Sequence, residues 1–449
     1  MDVLFILAAI PEVRDTAGFA WPVLAPPLTL PLLGEICRRA GHAVELIDTR
    51  LLMRPRGGEW LLDWDRLRRG ITGSAAQAVG VSFLSSSAPE GFKIAAWAKE
   101  QGKTVIGGGL HAAVAEEEFR SHGAFDYLVQ GEAEEALPAL LADLAAGRRP
   151  AHPEAMAVIK AEPVRDLGAV PPPVDLAPYA GVYERSAAWR VMYVELSRGC
   201  FKDCGFCEVA RTGIAWRPLR PVPVAAVAAW LPAAVERHGI NYLLVADSIA
   251  TAVKKNFLAF LELVARRLPG VQVQFNSTVD RWDDELAAAA RSVPCSVWFG
   301  FESGSQRVLD GILHKGTTVE QAYRAAKLCR DHGIRCAFNV LLGLPGEEES
   351  DYRATLRVFA DCPWVYPNPN IFNPLPGTAL YRHCLAGGLL RTPGDYSIWD
   401  ADLIAQRGSG PVRGVDYDLV LAYHQRLLAL QSVLSPRWEQ PALPAPGEL

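Results

Sequence analysis

The chain has no apolar run long enough to cross a membrane. Its longest uninterrupted apolar stretches, such as residues 3–11, fall well short of the ~18 residues that a bilayer crossing needs. No basic segment precedes that first run, so we expect a strand there rather than a signal peptide. The net charge of −5 gives no general attraction to nucleic acid or to an anionic membrane surface.

The chain also has too few cysteines for a disulfide framework. Nine cysteines among 449 residues suit a reducing compartment, so we expect a cytoplasmic protein. Half of the residues are apolar and 21% are charged, which is typical of a globular protein with large cores. The length suggests about three units of structure.

Three of the cysteines lie close together, and they are the most informative feature of the sequence. Cys200, Cys204 and Cys207 have the spacing C-x3-C-x2-C. Three such thiolates can hold three irons of a [4Fe–4S] cluster and leave the fourth iron open to a substrate, whereas an electron carrier normally has four cysteine ligands. The alternatives are a zinc knuckle with a distant fourth ligand or three unconnected thiols. Zinc sites favour C-x2-C pairs, and the chain has no second pair.

The first 150 residues alternate between strand-like and helix-like patterns. The predicted strands cover residues 3–10, 42–47, 78–84, 103–109 and 125–129. Repeated β-α units of this length predict a parallel, doubly wound α/β sheet of the Rossmann or flavodoxin type. Ligands of such sheets bind at the carboxyl ends of the strands. The residues predicted at these ends are Asp48, Ser82, Gly107, Gly108 and Gly109.

A second series of β-α units follows a proline-rich linker at residues 148–188. Its predicted strands cover residues 192–196, 242–246, 271–275, 297–301, 337–342 and 368–372. In barrels of such units the active residues lie at the carboxyl ends of the strands. The segment that carries the three cysteines, residues 195–207 and called the cysteine loop below, follows the first strand of the series. The pattern after residue 380 predicts a further helix at residues 417–433.

The cysteine run resembles the signature of the radical S-adenosylmethionine (SAM) superfamily, including Phe206 just before the third cysteine. The six later β-α units are similar to the partial (β/α)6 barrel of that family. The resemblance implies that the open iron chelates the amino and carboxylate groups of SAM. One electron then splits the sulfonium and gives a 5′-deoxyadenosyl radical.

Other strand ends resemble motifs of the same family. The run from Gly300 to Gly304 resembles a fourth-strand motif whose glutamate binds the SAM ribose, which implies a site at Glu302 and Ser303. A carboxylate suits a vicinal diol because it accepts two hydrogen bonds. Asp247 stands where the family places a group that meets the SAM ammonium, although Asp-Asp is commoner there than the Asp-Ser of this chain. Asn276 and Asn339 also end strands, and they face a cofactor or substrate or are ordinary polar strand ends.

The first half resembles the cobalamin-binding domain that precedes the radical SAM barrel in a class of fused enzymes. The matching residues are Ser82, Leu84, Gly107, Gly108, Gly109, Gly131 and Glu132. A degenerate domain that binds substrate or nothing is the alternative.

One loop departs from the cobalamin-domain pattern. Domains of the methionine-synthase type carry Asp-x-His-x-x-Gly, with the histidine on cobalt, and this chain has Asp48-Thr-Arg50 without the histidine. Arginine offers no lone pair. We therefore predict cobalamin with its own base displaced, no nitrogen ligand from this loop, and Arg50 near the lower face. The alternative places Arg50 against solvent or against a phosphate or amide of cobalamin.

The resemblance implies four segments: a cobalamin-binding domain at residues 1–147, the linker at 148–188, the barrel at 189–380 and a helical capping region at 381–449. It implies a methyltransferase for an unactivated carbon, or for phosphorus, of a small molecule or peptide. Cobalamin takes a methyl group from one SAM, and the substrate radical made with a second SAM collects it from methylcobalamin. Flavodoxin or ferredoxin would supply electrons. The alternatives are a non-methylating rearrangement, cyclisation or oxidation, and a non-catalytic cobalamin or Fe–S carrier.

Overall fold

The computed structural model describes residues 1–9, 12–14, 25–56, 59–148, 156–181, 190–210 and 217–438. The chain divides into two compact units between Tyr193 and Val194. None of the described helices combines the length and the hydropathy that a bilayer crossing requires.

The first unit is built on a six-stranded sheet in the order β3-β1-β6-β7-β8-β9, in which all paired strands are parallel. The other three strands form a small antiparallel sheet in the order β2-β5-β4. The described strands of this unit are β1 (Asp2–Ala8), β2 (Glu12–Arg14), β3 (Ala43–Asp48), β4 (Met53–Arg56), β5 (Glu59–Leu62), β6 (Ala78–Phe83), β7 (Thr104–Gly108), β8 (Tyr127–Gly131) and β9 (Ala157–Ala161).

Helices cover both faces of the large sheet, as the doubly wound prediction requires. The described helices are α1 (Thr29–Arg39), α2 (Trp64–Gly73), α3 (Ala88–Glu100), α4 (Leu110–Val114), α5 (Glu116–His122) and α6 (Ala133–Ala145). Helices α1 and α6 share a core with Val3 and Phe5, and α2 to α5 share a core with Leu4 and Ile6. Strand β1 is therefore buried on both faces, which explains its continuous apolar run. The predicted fold of this unit is confirmed.

Part of the predicted linker belongs to the sheet. Strand β9 lies within residues 148–188 and pairs in parallel with β8. The sequence missed it because it is a five-residue edge strand in proline-rich surroundings, too short for its alternation to stand out. The small sheet of β2, β4 and β5 and helix α2 were also not predicted. The segment boundaries themselves stay predictions.

The second unit contains a six-stranded sheet in chain order, β10-β13-β14-β15-β16-β17, which is parallel from β13 to β17. The six predicted strands are all present. A short antiparallel pair, β11 with β12, follows the first strand. The described strands are β10 (Val191–Val194), β11 (Ser197–Arg198), β12 (Arg220–Pro221), β13 (Tyr242–Val245), β14 (Gln272–Ser277), β15 (Cys295–Glu302), β16 (Arg335–Leu342) and β17 (Tyr366–Ile371).

Helices connect these strands and form the C-terminal region. They are α7 (Val224–His238), α8 (Lys254–Arg267), α9 (Asp284–Ala290), α10 (Gln306–Gly311), α11 (Val319–Asp331), α12 (Glu349–Asp361), α13 (Ala379–Ala386), α14 (Ala401–Arg407) and α15 (Tyr417–Trp438). Helix α15 lies along β17, where Gln431 Nε2 donates to the carbonyl of Pro367 at 3.2 Å. Its Leu434 packs on Ala337 and Tyr366, near the amino ends of β16 and β17. Helix α15 therefore runs along the edge of the sheet, from the carboxyl end of β16, where Tyr417 and Val420 lie next to Gly343, to the amino ends of β16 and β17.

Candidate active site

The cysteine loop starts directly after the first barrel strand, and hydrogen bonds hold its first residues in place. Asp247 follows β13 and accepts hydrogen bonds from the backbone N–H of Leu196 at 2.7 Å and from Ser197 Oγ at 2.5 Å. Burial raises the pKa of Asp247 to about 6, and these donors act against that rise. In this structure both oxygens of Asp247 therefore position the cysteine loop, a role that sequence reasoning did not foresee. Its predicted contact with the SAM ammonium stays a prediction.

Gly199 sets the direction in which the chain enters the loop. Its φ is +93°, a value that side chains other than that of glycine rarely allow. A Cβ atom there would lie 2.3 Å from the carbonyl oxygen of Pro218. The backbone N–H of Cys200 donates to the carbonyl of Arg217 at 3.4 Å. The backbone of Arg217 and Pro218, just before β12, thus lies directly against the start of the loop.

The three cysteines form a buried group of thiols. Cys200 and Cys204 are buried and Cys207 is half-buried. Burial raises the pKa of Cys204 to about 11 and also raises the pKa of Cys207, and in both cases the neighbouring cysteines add to the rise. Such thiols are protonated at neutral pH and would release protons when they bind metal.

The chemistry of the three thiols suits an iron–sulfur cluster. Each thiolate of a [4Fe–4S] cluster binds a different iron, so three cysteines can hold three irons and leave the fourth open. Within residues that the structure describes, no group of three His, Cys, Asp or Glu side chains is placed to hold a single metal ion.

Glu302 ends the fourth barrel strand in an unusual backbone conformation. Its φ is +69°, and the register between β15 and β16 shifts between Gly300 and Glu302. Positive φ at a residue other than glycine is uncommon and costs free energy, and such residues cluster at functional sites. The irregular backbone turns a buried carboxylate away from the regular alternation of the strand.

The residues after Glu302 anchor this turn to helix α12. The backbone N–H of Gly304 donates to Thr355 Oγ1 at 2.9 Å, and Ser303 Oγ lies 3.5 Å from the same oxygen. Ser305 Oγ donates to Asp351 at 2.6 Å. Ser303 is thus in contact with the helix in this structure, and its predicted role in binding SAM stays a prediction.

Sequence reasoning missed Lys315. Its Nζ donates to Glu302 Oε1 at 2.8 Å and lies 5.3 Å from the centroid of the Phe206 ring. Burial lowers the pKa of Lys315, but Glu302 and Cys204 outweigh that effect and hold it above its ordinary value. The lysine comes 13 residues after Glu302 in a loop, so no periodic pattern or motif pointed to it.

The two predicted asparagines differ in their surroundings. Asn276 is exposed near the carboxyl end of β14, whereas Asn339 is half-buried on β16. Asn339 lies in register with Asn368 of β17, whose Nδ2 donates to Asn339 Oδ1 at 2.8 Å. Asn276 is thus open to a ligand, and Asn339 belongs to a pair of amides. Both stay predicted contacts.

In the first unit, Asp48 and Arg50 form a fixed pair at the carboxyl end of β3. Arg50 Nη2 lies 2.6 Å from Asp48 Oδ2, and Arg50 Nε lies 2.9 Å from Asp48 Oδ1. Tyr179, from the segment predicted as linker, donates its hydroxyl to Asp48 Oδ2 at 2.8 Å. Burial alone lowers the pKa of Arg50, but Asp48 raises it above its ordinary value. Arg50 is therefore a permanent cation that cannot ligate a metal.

The predicted glycine loop after β7 approaches β6 closely. Gly109 has a φ of +91°, and a Cβ there would lie 2.5 Å from the carbonyl oxygen of Phe83 and 3.0 Å from Ser82 Oγ. A Cβ on Gly107 would meet the buried ring of Phe119 at 2.8 Å, so Gly107 serves packing. A Cβ on Gly108 would meet nothing closer than 3.9 Å. Gly108 thus leaves room at this edge of the sheet.

Other predicted residues of this edge divide into exposed and engaged side chains. Leu84 is 52% exposed directly after β6. Gly131 is exposed at the end of β8. Glu132 instead accepts a hydrogen bond from the backbone N–H of Val164 at 2.7 Å, and so ties down the segment after β9.

Comparison with known families agrees with both halves of this description. Residues 194–359 match the radical SAM superfamily, and residues 21–141 match the B12 binding domain. An uncharacterised methyltransferase of Pyrococcus horikoshii is 26% identical over 87% of this chain and 85% of its own length. The anaerobic magnesium-protoporphyrin IX monomethyl ester cyclase of Rubrivivax gelatinosus is 26% identical over 72% of this chain, which spans only 60% of the cyclase.

Solved structures share the fold at low sequence identity. The radical SAM methyltransferase TsrM of Kitasatospora setae, with tryptophan and a SAM analogue bound, has a TM-score of 0.69 and 20% identity, covering 97% of this chain and 89% of its own. OxsB, a cobalamin-dependent SAM radical enzyme with aqua-cobalamin and SAM bound, has a TM-score of 0.65 and 18% identity, covering 82% of this chain and 53% of its own.

The two matched domains imply three cofactors, namely a [4Fe–4S] cluster, SAM and cobalamin. The buried thiols of the cysteine loop fit the cluster. The open edge around Leu84 and Gly108 fits a bulky ligand of the first unit. The chain therefore combines a B12 binding domain with a domain of the radical SAM superfamily.

Proposed function

We propose that this enzyme methylates an unactivated carbon, or phosphorus, of a small molecule or peptide. The observation that carries the proposal is the cation at Arg50, in a loop where methionine-synthase-type domains carry the cobalt-ligating histidine. The guanidinium of Arg50 is held by Asp48, with Nη2 2.6 Å from Oδ2. A residue with no lone pair leaves the lower face of cobalamin without a nitrogen ligand from this loop. That arrangement favours the reduced, nucleophilic cobalt that methyl uptake from SAM requires.

The roles of the side chains follow from their chemistry. When bound, the cofactors supply a transferable methyl group and a 5′-deoxyadenosyl radical. Cys200, Cys204 and Cys207 bind three irons and leave one for SAM. Glu302 accepts hydrogen bonds from the SAM ribose. Asn276 is exposed at a strand end, where it can donate to a cofactor or to the substrate.

The reductant and the compartment follow from the same chemistry. Radical chemistry at a [4Fe–4S] cluster needs an electron donor of low potential, and flavodoxin or ferredoxin is the donor that we propose. Free, buried thiols suit the reducing cytoplasm.

Methyl uptake can be tested before the substrate is known. We expect that the reduced protein, loaded with cluster and cobalamin, converts SAM to S-adenosylhomocysteine in amounts stoichiometric with bound cobalamin. The same preparation without cobalamin should form none. Chromatography of the quenched mixture measures both S-adenosylhomocysteine and 5′-deoxyadenosine. Formation of 5′-deoxyadenosine alone, with cobalamin fully bound, would refute methyl uptake.

A second candidate is a radical cyclisation without methyl transfer. It is supported by the relatives named as anaerobic cyclases, one of which is 26% identical over 72% of this chain. The same assay separates the two candidates, because a radical cyclisation forms 5′-deoxyadenosine but no S-adenosylhomocysteine.

The position of Arg50 is tested by electron paramagnetic resonance of the bound cob(II)alamin. We expect no nitrogen superhyperfine splitting, because arginine has no lone pair to share. Two histidines of the first unit could supply such a nitrogen, His42 and His111. His42 precedes β3, at the end of the strand opposite to Asp48. His111 is buried against Ser85 and Phe83.

A positive control is available at the same position. Arg50→His should introduce the nitrogen splitting if residue 50 lies below the cobalt, whereas Arg50→Lys should not. Splitting in the natural protein would show that a base or histidine occupies the lower face. An unchanged spectrum in Arg50→His would place residue 50 away from the cobalt.

A further inference from the structure

The loop of residues 313–316 forms a second wall of the cysteine site. The carbonyl of Leu313 accepts a hydrogen bond from the backbone N–H of Gly205 at 2.8 Å. The carbonyl of Gly316 accepts one from Lys202 Nζ at 3.2 Å. His314 between them has a φ of +50°, which is uncommon for a residue other than glycine. Two hydrogen bonds and a strained turn thus fix this loop against the cysteine loop.

The loop buries a single ammonium group inside the site. Lys315 is only 5% exposed. Its Nζ is bonded to Glu302 and lies beside the Phe206 ring. A Cβ on Gly300 would stand 2.7 Å from Nζ, so the absence of a side chain at Gly300 makes room for the ammonium.

Lys315 is paired with Glu302, and two other nearby cations are also paired with acidic residues. Arg198 Nε lies 2.8 Å from Glu195, and Lys202 Nζ lies 2.9 Å from Asp280. Lys315 Nζ lies 5.3 Å from the centroid of the Phe206 ring, next to Cys207 in the chain, and the carbonyl of Leu313 in its loop accepts a hydrogen bond from Gly205, next to Cys204.

A buried ion pair needs a reason to be retained. Replacing such a pair by apolar side chains of similar volume is often neutral or stabilising, so the pair is weak evidence of a role in stability alone. Strained backbone at Glu302 and at His314, the residue before Lys315, adds to the cost. Both features lie at the thiols, which indicates that the arrangement serves the site.

We infer that Lys315 is a positioning residue with two effects. It holds the carboxylate of Glu302 in the orientation that SAM meets, and it stabilises the reduced form of the cluster. Reduction adds one negative charge, and a fixed cation near two of the thiolate ligands favours that charge in a site shielded from water. The inference rests on the proposed cluster ligands and is independent of methyl transfer.

The test is the reduction potential of the cluster in anaerobically reconstituted protein without SAM, measured by a redox titration followed by electron paramagnetic resonance. We expect Lys315→Met, which keeps the length but removes the charge, to shift the potential to more negative values. Lys315→Arg keeps the charge, so its potential should stay close to that of the natural protein. Glu302→Gln, which removes a buried negative charge, should shift the potential in the opposite direction. Lys202→Met is the matched control from the same site, and it should shift the potential much less than Lys315→Met.

SAM binding to the oxidised protein gives a second measurement. Lys315→Met should weaken SAM binding by about tenfold, since a freed Glu302 loses a charge-assisted contact that orients it. A Lys315→Met protein with full iron content and the natural potential would overturn the electrostatic effect. If Lys315→Met fails to take up iron, an unshifted potential in Glu302→Gln overturns it instead. Failure of the natural protein to bind a cluster would refute the cysteine assignment itself, which is a separate outcome.

Discussion

Anaerobic reconstitution is expected to load about four irons per chain, and alanine at Cys200, Cys204 or Cys207 should abolish both that cluster and the cleavage of SAM. The physical reason is that each thiolate binds a different iron, so two remaining thiolates cannot hold the cluster with one open iron. Burial raises the pKa of Cys204 and Cys207, and iron uptake must therefore offset the free energy of deprotonating these thiols.

The measurements are iron and sulfide content, the visible absorption of the cluster, and 5′-deoxyadenosine formed under reduction. Cys37→Ala and Cys329→Ala are matched controls, since both thiols are fully buried on helices, α1 and α11, that are not part of the cysteine loop. Both should bind iron and cleave SAM as the natural protein does. A triple alanine variant that still cleaves SAM would disprove the assignment of the cluster ligands.

Much of the fold was predictable because most strands have a clear local pattern of apolar residues. Strand β1 is apolar on both faces, and the six barrel strands alternate with long amphipathic helices. Strand β9 escaped notice because a short edge strand needs few apolar residues. Its place in the sheet is set by pairing with β8, which a local pattern does not contain.

Residues of the candidate site were predictable only where they belong to a short sequence motif. The cysteines and Glu302 stand in recognisable runs. Lys315 does not, because its role depends on a contact between its own loop and the cysteine loop, which is distant in the sequence. Tyr179 was hidden for the same reason, since it reaches Asp48 across 131 residues of sequence.

Asp247 shows a different limit. Its strand-end position suggested a ligand, and in the structure its oxygens accept hydrogen bonds from Leu196 and Ser197. A carboxylate at the end of a strand can face a ligand or brace the next loop, and only the three-dimensional partners distinguish the two. The sequence identified the position, and the hydrogen bonds identify what this side chain does there.

The close approach at Gly199 leads to the second large effect, a loss of iron binding in Gly199→Ala. An alanine Cβ would stand 2.3 Å from the carbonyl oxygen of Pro218 and 2.5 Å from that of Arg217, and both are backbone atoms that no rotamer change can move aside. The φ of +93° adds about 1–3 kcal/mol of strain for a residue other than glycine. The loop must therefore shift at the residue next to Cys200, and we expect iron content to fall severalfold.

Gly270→Ala is the matched control for this substitution. Gly270 also has a positive φ, +84°, but a Cβ there would meet no atom within 4 Å. It precedes β14, at the edge of the sheet opposite to the cysteine loop. Both variants carry a backbone cost, so both should melt somewhat lower, by about 2–4 °C for each kcal/mol. Only Gly199→Ala should lose iron, and it should keep the helix content of the natural protein. If Gly199→Ala binds the full complement of iron, the close approach of Arg217 and Pro218 does not fix the cysteine loop, and the loop must adjust its own backbone to the cluster.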